Sequence, residues 1–407
     1  MDRVTLGASG LKVSPFALGT MTFGDPVDAD TSFDLLDLAV EQGINFLDTA
    51  NSYNAGLTEE IIGQWLNARD HREQLVIASK VRYPVGNDPD SAGLSPRVIL
   101  QQLENSLKRL NTDYLDIYFL HQPDDDTPIE TTWRCLDAIV ASGRVRCLGL
   151  SNFAAWQCVQ TVHLANQRGW APPTVTQALY NIISRAVETE LLPMVNAYGL
   201  GTCMYNPLAG GLLTGKHCVG EEANPQTRLA DNTTYRARYW NDRQRTAAHQ
   251  ICEIAREAGR SPVELALRFM LDHPSVDVTL IGATSIAQLQ DNLAAVQAAP
   301  LSNDEQQACQ SAWVALRGPV PRYNRGSGGG RTCTAEVQTI CPAAPAPMPL
   351  SCGRRIGSSY RSVDSVGCNS QKVGMSMSVA RSVQVAWPHE SAGTCDVTRP
   401  DTGTSTT

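Results

Sequence analysis

The stretch "INFLDTANSYNAG", residues 44–56, decides the fold that this chain is predicted to adopt. Its apolar start is typical of a buried strand, yet the run ends in Asp48, and Tyr53 follows five residues later. Burying a carboxylate without a partner is costly. The stretch therefore predicts a strand that delivers polar groups to a functional site.

Seven further apolar runs follow the same plan, with helix-like segments between them. The eight runs are residues 16–21, 44–50, 75–80, 115–121, 147–152, 174–181, 201–208 and 278–285. Strands that alternate with helical segments predict parallel βαβ units. Two architectures can hold eight of them, a doubly wound sheet or a closed barrel.

The segments between the runs contain helix signals. Ser95-Pro96 and Ser261-Pro262 each combine an N-cap serine with proline at the first helical position. Apolar residues at helical spacing predict the buried face of the first helix. That face comprises Phe33, Leu36, Ala39 and Val40, and the face after Ser95 comprises Ile99, Leu103, Leu107 and Leu110.

The polar ends of the runs favour the barrel. These ends are Thr20, Asp48, Lys80, His121, Ser151, Asn152, Gln177, Asn206 and Thr284. In a (β/α)8 barrel the carboxyl ends of all strands meet at one mouth, where the active site is built. A dinucleotide-binding sheet would instead show a GxGxxG turn after a strand, and no run is followed by one. The sequence therefore predicts an α/β protein with a (β/α)8 TIM barrel.

Four polar residues at neighbouring strand ends, Asp48, Tyr53, Lys80 and His121, suit carbonyl chemistry. A buried Lys80 needs a carboxylate partner, and Asp48 is the candidate. The ammonium group is expected to lower the pKa of Tyr53 from about 10, so that the phenol can exchange a proton with a carbonyl oxygen. His121 is expected to orient that oxygen. Taken singly, each residue has a structural explanation in a turn, in packing or at a solvated strand end, but their coincidence favours a site.

Composition excludes several classes of function. The net charge of −8 over 407 residues argues against binding to nucleic acid, and no membrane association is expected because no apolar run approaches a membrane span. The amino terminus has no secretory apolar segment, so the expected location is cytoplasmic. Cys135, Cys147, Cys158, Cys203 and Cys252 are expected to be reduced core thiols, and the lack of a CxxC pair predicts no metal site.

The composition changes after Arg325. Residues 326–407 contain no Phe, and their only Leu or Ile residues are Ile340, Leu350 and Ile356. Such a segment cannot bury enough apolar surface to offset its chain entropy. The predicted organisation is a barrel domain over residues 1–325 and a low-complexity, disordered tail over residues 326–407.

Several motifs carry a resemblance to a known family. They are "GINFLDTANSY", "VIASKV", "LDIYFLHQPD", "GRVRCLGLSNF", "QALYN", "YNPLAGGLLTGK" and "LIGATSIAQLQDNL". The chain resembles the aldo-keto reductase superfamily over residues 4–325, and its motifs occur in the order that the family has. "TRLADNTTYRARYW" and "RGPVPRYNR" look most like the aflatoxin-aldehyde-reductase branch. The resemblance implies a (β/α)8 barrel, an NADPH cofactor and reduction of aldehydes or ketones to alcohols. The family's catalytic Asp, Tyr, Lys and His match Asp48, Tyr53, Lys80 and His121.

The resemblance also implies a set of cofactor contacts. Ser151, Asn152 and Gln177 match the residues that hold the nicotinamide carboxamide, and Tyr205 matches the aromatic residue that stacks on its ring. The remaining contacts are Thr20, Met21, Asp48, Asn206, Pro207, Leu208, Gly210, Gly211, Lys216, Arg228, Gly282, Thr284, Gln288, Asp291 and Asn292.

The adenosine end of this cofactor set departs from many members of the family. Gly282 and Gln288 stand where Lys and Arg often clasp the 2′-phosphate, although Arg228 could supply a charge from the loop. NADPH is favoured and NADH remains an alternative. The implied partner is a small-molecule carbonyl substrate, and the resemblance to this branch points to an aromatic carbonyl or dialdehyde of secondary metabolism. A monomer or homodimer is expected.

Two points of function stay open at the level of sequence. The potassium-channel β-subunit branch of the superfamily offers an alternative function, a cofactor-binding regulatory subunit without significant turnover. Substrate contact is also open, with four aromatic candidates. They are Trp133, Trp156, Tyr239 and Trp240.

Overall fold

A closed barrel of eight parallel strands forms the centre of the part of the chain that the structure describes. The computed structural model describes residues 1–88, 91–217 and 227–320. The strands are β1 Val4–Thr5, β2 Lys12–Val13, β3 Phe16–Gly19, β4 Phe46–Asp48, β5 Val76–Val81, β6 Leu115–Leu120, β7 Val145–Ser151, β8 Pro173–Leu179, β9 Gly201–Tyr205 and β10 Val278–Ile281. The barrel runs from β3 to β9 in chain order and is closed by β10, which pairs with both β9 and β3. The predicted (β/α)8 fold is confirmed.

Helices occupy the connections between the strands. They are α1 Ala29–Glu41, α2 Leu57–Arg69, α3 Pro96–Leu110, α4 Ile129–Ala141, α5 Ala155–Arg168, α6 Leu191–Tyr198, α7 Arg228–Asp231, α8 Thr233–Tyr239, α9 Asp242–Glu257, α10 Pro262–Leu271, α11 Ile286–Gln297 and α12 Asn303–Arg317. The predicted caps are present, because the hydroxyls of Ser95 and Ser261 accept hydrogen bonds from the N–H groups of Val98 and Glu264.

The buried face of α1 differs from the predicted one by a small rotation. Leu35, Leu36 and Ala39 are buried, whereas Phe33 and Val40 are only half-buried. Helical spacing alone is compatible with either buried face. The direction in which α1 packs on the barrel, which the sequence does not state, selects Leu35.

Close packing fills the inside of the barrel. Phe46 and Phe119 lie fully buried among small and branched side chains there. Gly149 on β7 leaves room for Phe119, since a Cβ atom added at this glycine would lie 2.3 Å from the ring. Burial of each phenyl ring contributes roughly 1.5–3 kcal/mol. The interior is therefore a packed core, and the site must lie at its rim.

An antiparallel pair formed by β1 and β2 was not predicted. Val4 pairs with Val13 and Thr5 with Lys12. Leu6 and Val13 are fully buried in the same cluster as the barrel interior, so the pair covers the amino-terminal end of the barrel. Strands of two residues are too short to show an alternating pattern.

The expected cysteine chemistry can be compared with the structure at six positions. Cys147, Cys158, Cys203 and Cys309 are buried free thiols, and Cys135 and Cys252 are half-buried free thiols. Burial raises the pKa of Cys158 to about 12. These thiols therefore lack the reactive thiolate form at neutral pH.

Three further sequence predictions concern membranes, metals and the tail. No helix in the described part of the chain is both long and apolar enough to cross a membrane. Within the same residues, no group of three His, Cys, Asp or Glu side chains could hold a metal ion. The predicted tail, residues 326–407, lies outside the described ranges, so the division at Arg325 stays a prediction.

Candidate active site

Polar residues gather at the carboxyl ends of the barrel strands. Asp48 and Ser151 end β4 and β7, while His121 and Asn206 directly follow β6 and β9. Lys80 is the penultimate residue of β5. Neighbouring strands thus bring residues from distant parts of the chain to one mouth.

Lys80 connects Asp48 and Tyr53. Its ammonium nitrogen lies 2.6 Å from Asp48 Oδ2, 2.8 Å from the carbonyl oxygen of Thr49 and 3.2 Å from Tyr53 Oη. An ammonium group has three N–H donors, so all of them have acceptors here. Because the phenolic oxygen of Tyr53 accepts from Lys80, its own O–H proton can be donated elsewhere.

The carboxylate of Asp48 is fixed from a second side. Gln177 Nε2 donates to Asp48 Oδ1 across 2.8 Å, while Oδ2 pairs with Lys80. Thr20 donates its hydroxyl proton to the backbone carbonyl of Asp48 across 3.0 Å. Thr20 therefore positions the strand end, and the half-buried Met21 follows it. Both residues were expected to contact the cofactor.

The pKa of Tyr53 moves in the direction opposite to the one expected from the sequence. The surrounding protein disfavours a phenolate and raises the pKa above its ordinary value, although the charge of Lys80 pulls it down. The expectation that Lys80 lowers this pKa was wrong for the net shift, because it left out desolvation. Tyr53 is consequently protonated at neutral pH.

The neighbouring charges are also set by their environment. Burial lowers the pKa of Lys80, but the charge of Asp48 and the contact with Tyr53 more than offset this, so the net pKa is raised. Burial, helped by the charge of Lys80, holds the pKa of His121 well below its usual range. At neutral pH the site therefore contains a lysine cation and an uncharged imidazole.

His121 stands between two tyrosine rings. Its ring centroid is 5.9 Å from that of Tyr53 and 4.9 Å from that of Tyr83, both edge-on. Its Nδ1 is buried and has no hydrogen-bond partner among the residues that the structure describes. Tyr83, whose hydroxyl contacts Gln122, was missed from the sequence, although its position just after β5 could have indicated it.

Neutral amides and hydroxyls line the ends of β7, β8 and β9. Asn152 adopts a left-handed backbone (φ 61°), and its Nδ2 lies 2.9 Å from the carbonyl oxygen of His121 and 3.0 Å from Ser151 Oγ. Tyr205 donates its hydroxyl proton to Asn152 Oδ1 across 2.8 Å. Gln177 completes this group. Such a set of donors and acceptors matches the needs of a carboxamide, so these residues fit a nicotinamide group.

The loop after β9 folds back on itself. Asn206 (φ 67°) accepts a hydrogen bond from the N–H of Gly210 on its side-chain oxygen and donates from Nδ2 to Tyr239 Oη. Gly210 and Gly211 have left-handed φ angles that glycine adopts without strain. Pro207 is buried, Leu208 is half-buried and Lys216 is exposed at the end of this loop.

The loop between β10 and α11 forms a second polar cluster. Gln288 Oε1 accepts hydrogen bonds from Thr284 N and Thr284 Oγ1, across 2.9 and 3.0 Å. Asn292 Nδ2 donates to the carbonyl oxygen of Gly282, and Asp291 is exposed. The amino-terminal end of α11 attracts anions through its dipole, which fits a phosphate group. The side chain of Arg228, the other predicted source of charge, lies outside the described part of the structure.

The four aromatic candidates for substrate contact fall into different environments. Trp133 is fully buried in α4 and donates its indole N–H to the carbonyl oxygen of Ala171. Tyr239 is also buried, and Trp240 is half-buried. Trp156, in the first turn of α5, exposes 65% of its surface. Packing explains Trp133 and Tyr239, whereas Trp156 is accessible.

The fold places the chain among (β/α)8-barrel proteins whose site lies at the carboxyl ends of the strands. The sequence model of the Aldo/keto reductase family matches residues 15–314, and the chain belongs to this family. It is an NAD(P)H-dependent oxidoreductase that acts on carbonyl groups.

Relatives with assigned names are similar over most of the chain. An uncharacterized oxidoreductase, YrpG of Bacillus subtilis, is 38% identical over 307 residues, which are 73% of this chain and 91% of that protein. Aflatoxin B1 aldehyde reductase member 2 of Rattus norvegicus is 36% identical over 333 residues, 78% and 89% of the two chains. A probable voltage-gated potassium channel subunit beta of Oryza sativa is 35% identical over 308 residues, 75% and 94% of the two chains.

Proposed function

We propose that this protein reduces an aldehyde or ketone to an alcohol, with NADPH as the hydride donor and Tyr53 as the proton donor. The observation that carries the proposal is the position of Lys80, which contacts both Asp48 Oδ2 and Tyr53 Oη. This arrangement leaves the phenolic proton available, and desolvation of the phenol keeps Tyr53 protonated at neutral pH.

The residues of the site divide the work of the reduction. When bound, NADPH supplies the hydride that the carbonyl carbon receives. Tyr53 gives its proton to the carbonyl oxygen as negative charge develops there. Lys80 stabilises the phenolate that remains, because its ammonium group lies 3.2 Å from that oxygen. In the reverse oxidation the same phenolate takes the proton back from the alcohol.

His121 is proposed to orient the carbonyl group. Its pKa is held well below the usual range, so the ring stays uncharged and does not compete with Tyr53 as an acid. A neutral imidazole can still donate one N–H to the carbonyl oxygen. The edge-on contact with Tyr53 keeps the two donors at the same side of the mouth.

The proposed cofactor contacts follow the two polar clusters at the mouth. Ser151, Asn152 and Gln177 would hold the carboxamide, with Tyr205 against the ring. The loop after β9 would lie along the phosphates, with Lys216 near its end. Gly282, Thr284, Gln288, Asp291 and Asn292 would hold the adenosine end, where the neutral Gln288 leaves NADH as the alternative cofactor.

The test is the variant Tyr53→Phe, which preserves the ring and removes the proton donor. NADPH oxidation by 4-nitrobenzaldehyde should fall about 10²–10⁴-fold, the usual range for general acid catalysis. NADPH binding, followed by quenching of tryptophan fluorescence, should change by less than about twofold. A rate loss smaller than about tenfold would show that Tyr53 is not the acid.

The same assay separates the enzyme from the regulatory subunit. The similarity to potassium channel β-subunits leaves that function as the alternative. Binding of NADPH without turnover of any aldehyde, quinone or polyketide ketone in a screen would favour the subunit. Turnover that is lost in Tyr53→Phe would support the reductase.

A further inference from the structure

A buried ion pair lies on the outer side of the barrel wall, behind Lys80. Glu59, in the first turn of α2, is fully buried. Its Oε2 lies 2.8 Å from Nε and 2.7 Å from Nη2 of Arg109 on α3. Its Oε1 accepts the hydroxyl proton of Ser79, the neighbour of Lys80 on β5. One carboxylate thus connects two helices to the strand that carries Lys80.

The same arginine packs against the turn that carries Tyr53. In the turn Tyr53–Gly56, the three residues after the tyrosine have left-handed φ angles of 47°, 56° and 97°. Two of them, Asn54 and Ala55, are not glycine, and such strain persists only where the surroundings impose it. A Cβ atom added at Gly56 would lie 3.0 Å from Cδ and Nε of Arg109. The guanidinium group therefore supports the turn from behind.

A second contact from α3 reaches the segment after β4 and, through it, the end of β5. Gln102 Oε1 accepts a hydrogen bond from Asn51 Nδ2 across 3.2 Å. The backbone N–H of Asn51 donates to the carbonyl oxygen of Lys80, also across 3.2 Å. Gln102, Ser106 and Arg109 follow one another at helical spacing and form a polar row on the inward side of the helix, here called the polar face of α3. Gln102 and Ser106 are buried, so this face is turned away from solvent.

We propose that the Glu59–Arg109 pair and the polar face of α3 are positioning residues that fix Tyr53 Oη against Lys80 Nζ. None of these side chains is placed at the reacting atoms. They hold the turn and the strand between which the 3.2 Å contact of the two functional groups is made. This inference rests on the proposed role of Tyr53 as proton donor.

Stability alone is a weak reason for such a pair. Removing two charges from water costs much of what their attraction returns, so a buried ion pair is often no better than apolar packing. A misplacement of about 1 Å at a reacting group, in contrast, can lower a rate about 10²-fold. Replacing both partners by uncharged residues should therefore lower kcat more clearly than it lowers the melting temperature.

The chain offers a matched control at the other end of the barrel. Arg72 pairs with Asp116 across 3.0 Å, with side-chain exposures of 15% and 2%, against 15% and 0% for Arg109 and Glu59. Asp116 lies near the amino-terminal end of β6, far along the strand from the mouth. Loss of Arg72 removes an arginine as buried as Arg109 without a contact to the Tyr53 turn, while Arg146 still pairs with Asp116 Oδ1 across 3.0 Å.

The experiment compares Arg109→Met, the double variant Glu59→Gln/Arg109→Met, Arg72→Met and Tyr53→Phe. The double variant avoids an unpaired buried carboxylate, so it remains informative if Arg109→Met does not fold. We expect kcat for 4-nitrobenzaldehyde to fall about tenfold or more in both Arg109 variants, with KM for the aldehyde and the Kd of NADPH within about twofold. Arg72→Met should lower the melting temperature and leave kcat within about twofold.

The pH profile adds a readout that a loss of stability does not move. If Lys80 no longer contacts Tyr53, the alkaline fall of kcat/KM should move to higher pH in the Arg109 variants and stay in place in Arg72→Met. Equal kcat losses in Arg109→Met and Arg72→Met, or an unchanged profile and kcat in the double variant, would overturn the inference. Failure of the proposed function itself would appear separately, as full activity of Tyr53→Phe.

Discussion

Desolvation keeps the phenol of Tyr53 protonated, while Lys80 stabilises the phenolate that forms after proton transfer. Burial of the phenol and burial of His121 shift their two pKa values in opposite directions, one above 10 and the other well below 6.5. Neither side chain therefore changes its charge in the neutral range. The carbonyl group meets a protonated phenol and an uncharged imidazole.

A level pH profile is expected from these two shifts. Tyr53 donates a proton in the direction of reduction, so activity requires its protonated form, which persists up to its raised pKa. We expect kcat/KM for the aldehyde to be constant between about pH 7 and about pH 10 and to fall above this range. Stopped-flow or steady-state rates in overlapping buffers measure this. A fall that begins below about pH 9 would indicate a different acid.

Removal of Lys80 should damage both the rate and the stability. Lys80→Met leaves the carboxylate of Asp48 buried and without its cation, which typically costs about 3–5 kcal/mol. Chemical denaturation should show this loss, and turnover should fall together with it. In the double variant Asp48→Asn/Lys80→Met the unpaired charge is gone, so much of the stability should return while turnover stays low. Recovery of turnover in the double variant would exclude a catalytic role for the cation.

At the scale of single residues, the sequence indicated candidate functional residues but not the energies that set their pKa values. Asp48, Tyr53, Lys80 and His121 were indicated because each stands at or just beyond the end of an apolar run. The net shift in the pKa of Tyr53 was not predictable, because desolvation depends on side chains that come together only in the folded barrel. The ion pair of Glu59 and Arg109 joins residues 50 positions apart and left no local pattern.

At the scale of elements, α11 offers a test of cofactor preference. Gln288 stands in its first turn, at the proposed adenosine end. Gln288→Arg should place a cation near the 2′-phosphate and raise the preference for NADPH over NADH, measured as the ratio of kcat/KM values, by about threefold or more. Gln290→Arg adds the same charge to the same helix at an exposed position and should leave the ratio unchanged. An equal rise in both variants would point to a nonspecific effect of charge.

The elements themselves were predictable to the extent that they repeat one pattern. The strands observed at residues 46–48, 76–81 and 115–120 lie within or beside their predicted runs, because a strand buried on both faces leaves a continuous apolar signal. The helix starts at Ser95 and Ser261 followed from cap chemistry. The β1–β2 pair and the polar face of α3 were missed, since the first is too short to show a period and the second is polar although buried.

At the scale of the whole molecule, the tail remains a prediction from composition. Deletion of residues 326–407 should leave the melting temperature and the affinity for NADPH nearly unchanged, because a segment with few large apolar residues adds little buried surface. Differential scanning fluorimetry and a fluorescence titration measure both. The cut must follow Arg325, since "PRYNR" resembles a segment that reaches the pocket in the related branch. Insolubility, or loss of most cofactor affinity, would show that the tail is part of the enzyme.

The cytoplasmic location and the state of assembly, monomer or homodimer, also stay predictions. The small-molecule substrate follows from the family, but its identity depends on the loops at the mouth. Among the four aromatic candidates for substrate contact, Trp156 is exposed, and packing does not explain it.

The pairing of β10 with β3 bears on how the chain is made. Leu18 on β3 pairs with Ile281 on β10, so one edge of β3 stays unpaired until a strand about 260 residues further along the chain has been made. At a synthesis rate of about 5–20 residues per second, that wait lasts roughly 13–50 s. Throughout it, a growing chain has an open edge that can pair with a neighbour on the same polysome. Chaperones that shield nascent chains would therefore matter most until β10 has left the ribosome and paired with β3.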